Sequence, residues 1–142
     1  MASLINPHSA EWTVGYKEYN RTCIDSIVLS NHVDWKRIAI DSSCFGRVRV
    51  FEIDGLGGLE SIVVGNSSFD YSSIDVDASK KRTDGVIRIV NCPKLDSIQI
   101  GDWSFSDYHS FELRNLPRLQ SFVIGNCFCR RVPLFSLAGF AD

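Results

Sequence analysis

The sequence predicts a mostly β fold, a right-handed solenoid of about four to five turns, each contributing two short parallel strands. Three observations carry that expectation. An apolar phrase, clearest in "LDSIQIGDWSF" from Leu95 and "LQSFVIGNCFC" from Leu119, recurs along the chain. A shorter alternating phrase precedes every copy, and a column of asparagine and glycine stands two residues after that phrase's anchor. Recurrence at a fixed period marks a stacked architecture, because a single rung cannot bury its apolar side alone.

Taken in chain order, residues 1–26 carry neither phrase and are expected to form an irregular N-terminal turn or cap. The longer phrase opens at Trp35 ("WKRIAIDSSCF"), Leu59 ("LESIVVGNSSF"), Leu95 and Leu119. Its apolar residues fall at relative positions one, four, six and eleven. These are Trp35, Ile38, Ile40 and Phe45; Leu59, Ile62, Val64 and Phe69; Leu95, Ile98, Ile100 and Phe105; and Leu119, Phe122, Ile124 and Cys129. Positions four and six alternate with small or polar neighbours, the period-two pattern of a strand with one buried face.

The shorter phrases, "IVLSNHVDW", "FEIDGLGGL", "IRIVNCPKL" and "FELRNLPRL", anchor at Leu29, Ile53, Ile89 and Leu113, and "FSLAGF" supplies a fifth anchor at Leu137. They alternate as well, so each turn carries a second strand. The steps between anchors are 24, 36, 24 and 24 residues, and the long step places an inserted polar loop at 70–86. Two residues after the anchors stand Asn31, Gly55, Asn91, Asn115 and Gly139, the types that best tolerate positive φ. Asparagine amides in this column are expected to bond backbone groups of the neighbouring coil. Gly65, Gly101 and Gly125 close the first strands, and Pro93 and Pro117 mark equivalent turns. At 142 residues the chain has the size of one domain, spanning 1–142.

The phrase L-x-x-I-x-I-x-x-x-x-F resembles the strand segment of leucine-rich repeats, L-x-x-L-x-L-x-x-N-x-L, and 24 residues lies within that family's range. The ninth-position asparagine is replaced by Ser43, Ser67, Trp103 and Cys127, and a strand-like phrase follows where many members have a helix. The chain is thus similar to irregular, β-rich leucine-rich repeats of some protist and bacterial surface proteins, over about Ile27 to Phe140. The resemblance implies a non-catalytic module that binds another protein through the concave strand face.

On the first strand, positions two, three and five point away from the core. Read down the stack they give Lys36, Glu60, Asp96 and Gln120; Arg37, Ser61, Ser97 and Ser121; and Ala39, Val63, Gln99 and Val123. The expected partner-binding residues are Arg37, Ser61, Val63, Ser97, Gln99, Trp103, Ser121 and Val123. Trp103 is the best single anchor, since aromatic side chains dominate binding energy at interfaces; its place in the asparagine slot equally suits burial. Glu52, Arg88 and Glu112 form an outward column on the second strands, expected to be structural.

Composition narrows the function classes. A formal net charge of -2 gives no concentrated basic face for nucleic acid. No run approaches the ~18 apolar residues of a membrane span, and the opening lacks a secretory signal, so a cytoplasmic location is expected. Five cysteines, Cys23, Cys44, Cys92, Cys127 and Cys129, are an odd, irregularly spaced set that argues for reduced thiols. Two glycosylation triplets, at Asn20 and Asn66, keep an extracellular alternative, in which the chain is a structural or adhesive piece of a longer surface protein.

Catalysis finds no support. The three histidines are His8, His32 and His109; Asp107, His109 and Ser110 adjoin in sequence, whereas triads are assembled in space. Cys127 and Cys129 lack the further ligands of a zinc site, and "GLGG" lacks the lysine of a phosphate loop. No cofactor or metal is expected. If 142 residues are the whole protein, the fifth turn ends at Asp142 without a polar cap, and self-association through that end is expected.

Overall fold

A computed structural model describes residues 11–16, 24–30, 35–69, 85–105, 108–125 and 134–140. The chain winds as a β-solenoid of about four turns, with no helix among the described residues. Its strands are β1 (Glu11–Val14), β2 (Ser26–Ser30), β3 (Arg37–Ile40), β4 (Val50–Asp54), β5 (Ser61–Val64), β6 (Gly85–Val90), β7 (Ser97–Ile100), β8 (Tyr108–Leu116), β9 (Ser121–Ile124) and β10 (Leu134–Phe140). They alternate between two five-stranded sheets: sheet A in the order β1-β3-β5-β7-β9 and sheet B in the order β10-β8-β6-β4-β2.

The register follows the repeat arithmetic. In sheet A, Ile38 pairs with Ile62, Ile62 with Ile98 and Ile98 with Phe122, all in parallel. In sheet B the anchors Leu29, Ile53, Ile89, Leu113 and Leu137 form one row across the strands. Because side chains alternate with period two, a one-residue slip would turn every isoleucine of a rung to solvent, so burial fixes this register. Ile38, Ile62 and Ile98 are at most 1% exposed.

A strand lies within the N-terminal segment that carried neither phrase. β1 pairs with β3, Trp12 against Ile38 and Val14 against Ile40, and both of its inward residues are buried. The signal was present as "WTVG", which matches positions four to seven of the repeat, while Ser9 at position one hid it.

Between the sheets runs a column of aromatic rings. Trp12 stacks on Trp35 with ring centroids 5.2 Å apart, Phe45 on Phe69 at 5.3 Å, and Phe69 on Phe105 at 4.5 Å. Phe51 of sheet B packs against Phe69 at 4.8 Å, tying the two sheets together. Since position eleven recurs once per coil, identical rings repeat near the strand spacing of about 4.8 Å and stack face to face.

The insertion leaves after Phe69 and the described chain resumes at Gly85; residues 70–84, with the charges of Asp70, Asp75, Asp77, Lys80, Lys81, Arg82 and Asp84, lie outside the described residues. Gly85 and Val86 belong to β6, not to the loop. Gly85 pairs with Tyr108, and a Cβ there would come within 2.7 Å of the tyrosine ring. The ring crosses this bare position, and its hydroxyl donates to the carbonyl of Val48 at 2.5 Å, a residue 60 positions earlier. Where the insertion interrupts one turn, the tyrosine of the next turn bridges to the turn before it.

Candidate interaction surface

The outward face of sheet A is built from the positions between the buried ones. Arg37, Ser61, Ser97 and Ser121 form one row, continued to Glu11 of β1; Ala39, Val63, Gln99 and Val123 form the next, continued to Thr13. All eight expected partner-binding residues lie outside the core, seven in these two rows and Trp103 at the corner that follows β7. Trp103 is 45% exposed, which decides between its two readings in favour of the surface. Glu11, Lys36 and Arg37 lie at the β1 and β3 end, Glu60 and Asp96 continue the row of Lys36, and Val123, 54% exposed, lies on β9.

The corner after sheet A presents these residues, and it is held in a way the sequence did not disclose. Positions nine and eleven have positive φ in the three turns where they are described: Ser43 and Phe45, Ser67 and Phe69, Trp103 and Phe105, all between 55° and 64°. Bulky residues in this region are outliers that persist only where surroundings over-determine them. The surroundings here include a buried hydroxyl ladder. Ser68 Oγ donates to the carbonyl of Asp41 at 2.7 Å and accepts the Cys44 amide at 3.2 Å. One turn on, Ser104 Oγ donates to the Gly65 carbonyl at 2.6 Å and accepts the Ser68 amide at 3.2 Å. In the preceding turn Cys44 Sγ acts as the donor, against the carbonyl of Gly15 at 3.0 Å.

Glycine at position seven has a steric cause. A Cβ on Gly101 would sit 2.8 Å from the Gly65 carbonyl carbon and 2.9 Å from the Asn66 nitrogen, and one on Gly65 would sit 2.6 Å from the Ser42 nitrogen. Side chains at position eight use the close approach: Ser42 Oγ accepts the Asn66 amide at 3.1 Å, and Asn66 Oδ1 accepts that of Asp102 at 2.8 Å.

The opposite corner is simpler. Leu56 to Leu59, Cys92 to Leu95 and Leu116 to Leu119 each close a four-residue turn, the last amide donating to the first carbonyl at 3.1–3.3 Å. Proline at Pro93 and Pro117 suits the second place of such a turn. Gly55, Asn91 and Asn115 have positive φ as expected; Asn31 lies outside the described residues and Gly139 falls in β10. Their amides make a side-chain ladder in place of the expected backbone bonds. Asn115 Nδ2 donates to Asn91 Oδ1 at 2.8 Å, and Asn91 Nδ2 to Asp54 Oδ1 at 2.9 Å, the carboxylate substituting where Gly55 has no side chain.

On the outside of sheet B, Arg88 lies between Glu52 and Glu112 in the register and bonds both, at 2.5 and 2.6 Å. Hydrogen bonds donated to Glu112 and then Glu52 raise the pKa of Arg88, with burial opposing them. The column ties β4, β6 and β8 together. An open cleft of about 290 Å³ lies at the second corner, lined by Glu60, Lys94, Asp96, Arg118 and Gln120.

Cys44 and Cys92 are reduced and buried. Burial pushes the Cys92 thiol pKa up, against hydrogen bonds from Leu56 and Gly55. Cys23, Cys127 and Cys129 lie outside the described residues, as do His8, His32 and Asp107. His109 is exposed and stands at the irregularity in β8, where Tyr108 and Ser110 pair with consecutive residues of β6. Among the described residues no group of three or more histidine, cysteine or acidic side chains could hold a metal ion, and no helix is long and apolar enough to cross a membrane.

Fold and surface define a two-sheet parallel β-solenoid with a smooth outward strand face. No family model, no curated protein and no solved structure matches the chain.

Proposed function

We propose that this chain is a non-catalytic protein-protein interaction module, a β-rich relative of the right-handed leucine-rich-repeat solenoids, and that it engages a partner through the outward face of sheet A. One observation carries the reading. Beside the outward row of Glu60, Asp96 and Gln120, the two central rows of the face are uncharged from β5 to β9, joined there by two exposed large apolar groups, Trp103 and Val123. Aromatic anchors beside small polar contacts are what a binding surface requires, and a rigid sheet presents them with little ordering cost.

Inside and outside must separate for this to hold. Ile100, 2% exposed, is expected to cost about 2–5 kcal/mol of stability when cut to alanine. Ser97→Arg, on the outward row, is expected to leave the melting temperature within a few degrees while abolishing partner capture. The experiment is affinity capture from the source cells with the parent chain, Ser97→Arg and Val28→Lys. Val28 is 54% exposed on sheet B and serves as the control. A partner retained by the parent and Val28→Lys but lost by Ser97→Arg supports the strand face. A partner indifferent to Ser97→Arg, or lost equally with Val28→Lys, removes it.

A further inference from the structure

The two edges of sheet A differ in a way the repeat does not require. At the β1 edge the inward residues Trp12 and Val14 are 4% and 1% exposed. At the β9 edge, Ile124 is 43% exposed, although Val64 and Ile100 at the same place in earlier turns are at 2%. Phe122 and Leu119 are likewise only partly buried, where Ile98 and Leu95 are fully buried. Among the described residues, the inward side chains are buried at the β1 edge and half-exposed at the β9 edge.

Backbone direction sharpens the difference. Ser121 and Gly125 donate back to the carbonyls of Asp96 and Ile100 in the preceding turn, so the alternate residues Phe122 and Ile124 aim their N–H and C=O groups away from the body. An edge of this kind is a template for another strand, and natural proteins usually blunt it with a charge or a proline. The stretch 119–125, "LQSFVIG", contains neither. The opposite edge carries Glu11.

We propose that β9 is a self-association edge, on which a second copy of this chain docks tail to tail about a two-fold axis normal to both sheets. Head-to-tail stacking would require the covered β1 end to open, whereas the two-fold uses the same open edge twice, as an isologous interface does. The axis sets β9 antiparallel to its mate and keeps inward side chains inward, merging the two cores. Centred on Val123, it places Phe122 opposite Ile124 of the second copy. These are the residues whose backbone groups point outward, so each pair exchanges both hydrogen bonds while Val123 faces its own mate across the axis. No ionisable side chain lies in 119–125, so the operation brings no like charges of that stretch together. This inference does not depend on the strand-face reading.

Sedimentation equilibrium of the full chain over about a hundredfold range of concentration reads the association directly. The parent chain is expected to move from the 15.9 kDa of one chain towards twice that mass and stop there. Ile124→Lys, at a half-exposed site, is expected to stay at one chain throughout with unchanged circular dichroism, and Val28→Lys to associate like the parent. A second variant reads the geometry even if the lysine disturbs folding. Val123→Cys places two thiols across the axis at about the Cα separation a disulfide needs, and mild oxidation is expected to link two chains, with Ser121→Cys and the parent much less affected. A parent monomeric at every concentration, growth beyond two copies, an Ile124→Lys that associates like the parent, or cross-linking no greater for Val123→Cys than for Ser121→Cys each overturns the proposal.

Discussion

The two corners of each turn solve the same problem, reversing the chain between sheets, by different means. The corner after sheet B is a four-residue turn with proline or glycine inside it and an asparagine ladder beside it. The described corners after sheet A bend through two residues of positive φ, place a phenylalanine at one of them, and bury a small side chain between, Cys44, Ser68 or Ser104. Their backbone is strained and the amides of Cys44 and Ser68 are buried against serine hydroxyls, so their stability is collective: ring stacking, hydroxyl ladder and glycine clearance must all be present. The corner after sheet B is a sum of local preferences. Removing a single component of the first should cost much, and removing a single component of the second little.

The largest effect is expected from the ring column. Phe69 touches Phe45, Phe51 and Phe105, with centroids 4.5–5.3 Å away, and is 1% exposed. Phe69→Ala is expected to lower the unfolding free energy by about 3–5 kcal/mol in urea titration, a cavity cost with no relief from the backbone, because alanine keeps the Cβ that makes positive φ unfavourable. A loss below about 1 kcal/mol would mean that the rings fill space without holding the corner.

Next is the ladder. Ser104→Ala leaves the buried Ser68 amide without its acceptor and the part-buried Gly65 carbonyl without this donor, and is expected to cost about 1–3 kcal/mol. The same change at an exposed serine, Ser121→Ala, is the reference and is expected to be close to neutral. Equal effects would show that the ladder is hydrated.

A smaller contribution comes from Cys92, which replaces leucine in the second corner's buried row of Leu56, Cys92 and Leu116. Its thiol pKa is raised in the folded state by burial, so the unfolded chain ionises first. Stability is therefore full below the ordinary thiol pKa of about 8.5 and falls as pH rises through it towards the folded value. Cys92→Ala is expected to flatten that alkaline decline of the melting temperature while lowering the neutral value slightly. An unchanged slope would assign the decline to other groups.

The contrast between corners also explains what could be read from the sequence. Stacking of Ile38, Ile62, Ile98 and Phe122, the row from Leu29 to Leu137 and the 12-residue excess in the 36-residue step were all legible, because burial alternates with period two and a ladder demands equal spacing. Local turn chemistry was legible for the same reason: Gly55, Asn91 and Asn115 announce positive φ by their type. Phe45, Phe69 and Phe105 do not, since nothing in phenylalanine's preferences suggests that conformation; the tertiary stack imposes it. Ser68 and Ser104 were hidden by the rule that serine is a surface residue, although a small side chain before each of those phenylalanines was visible in all three turns. On the outward face, sequence placed the seven strand candidates outside the core but left Trp103 undecided. Its exposure depends on where a strained corner points it.

Asparagine at the second corner offers the finest measure of the comparison. Asn115 has a φ of 55° and donates one exposed side-chain hydrogen bond to Asn91. Asn115→Gly removes that bond, worth about 0.5–1.5 kcal/mol at most where water competes, and relieves the backbone of a Cβ in the left-handed region. The two changes oppose each other, so the melting temperature is expected to move by no more than a degree or two. Asn115→Val loses the bond and forces a β-branched residue into the same φ, so it should be clearly destabilised. If glycine proves as costly as valine, the amide ladder is cooperative along the solenoid and the second corner is as collective as the first.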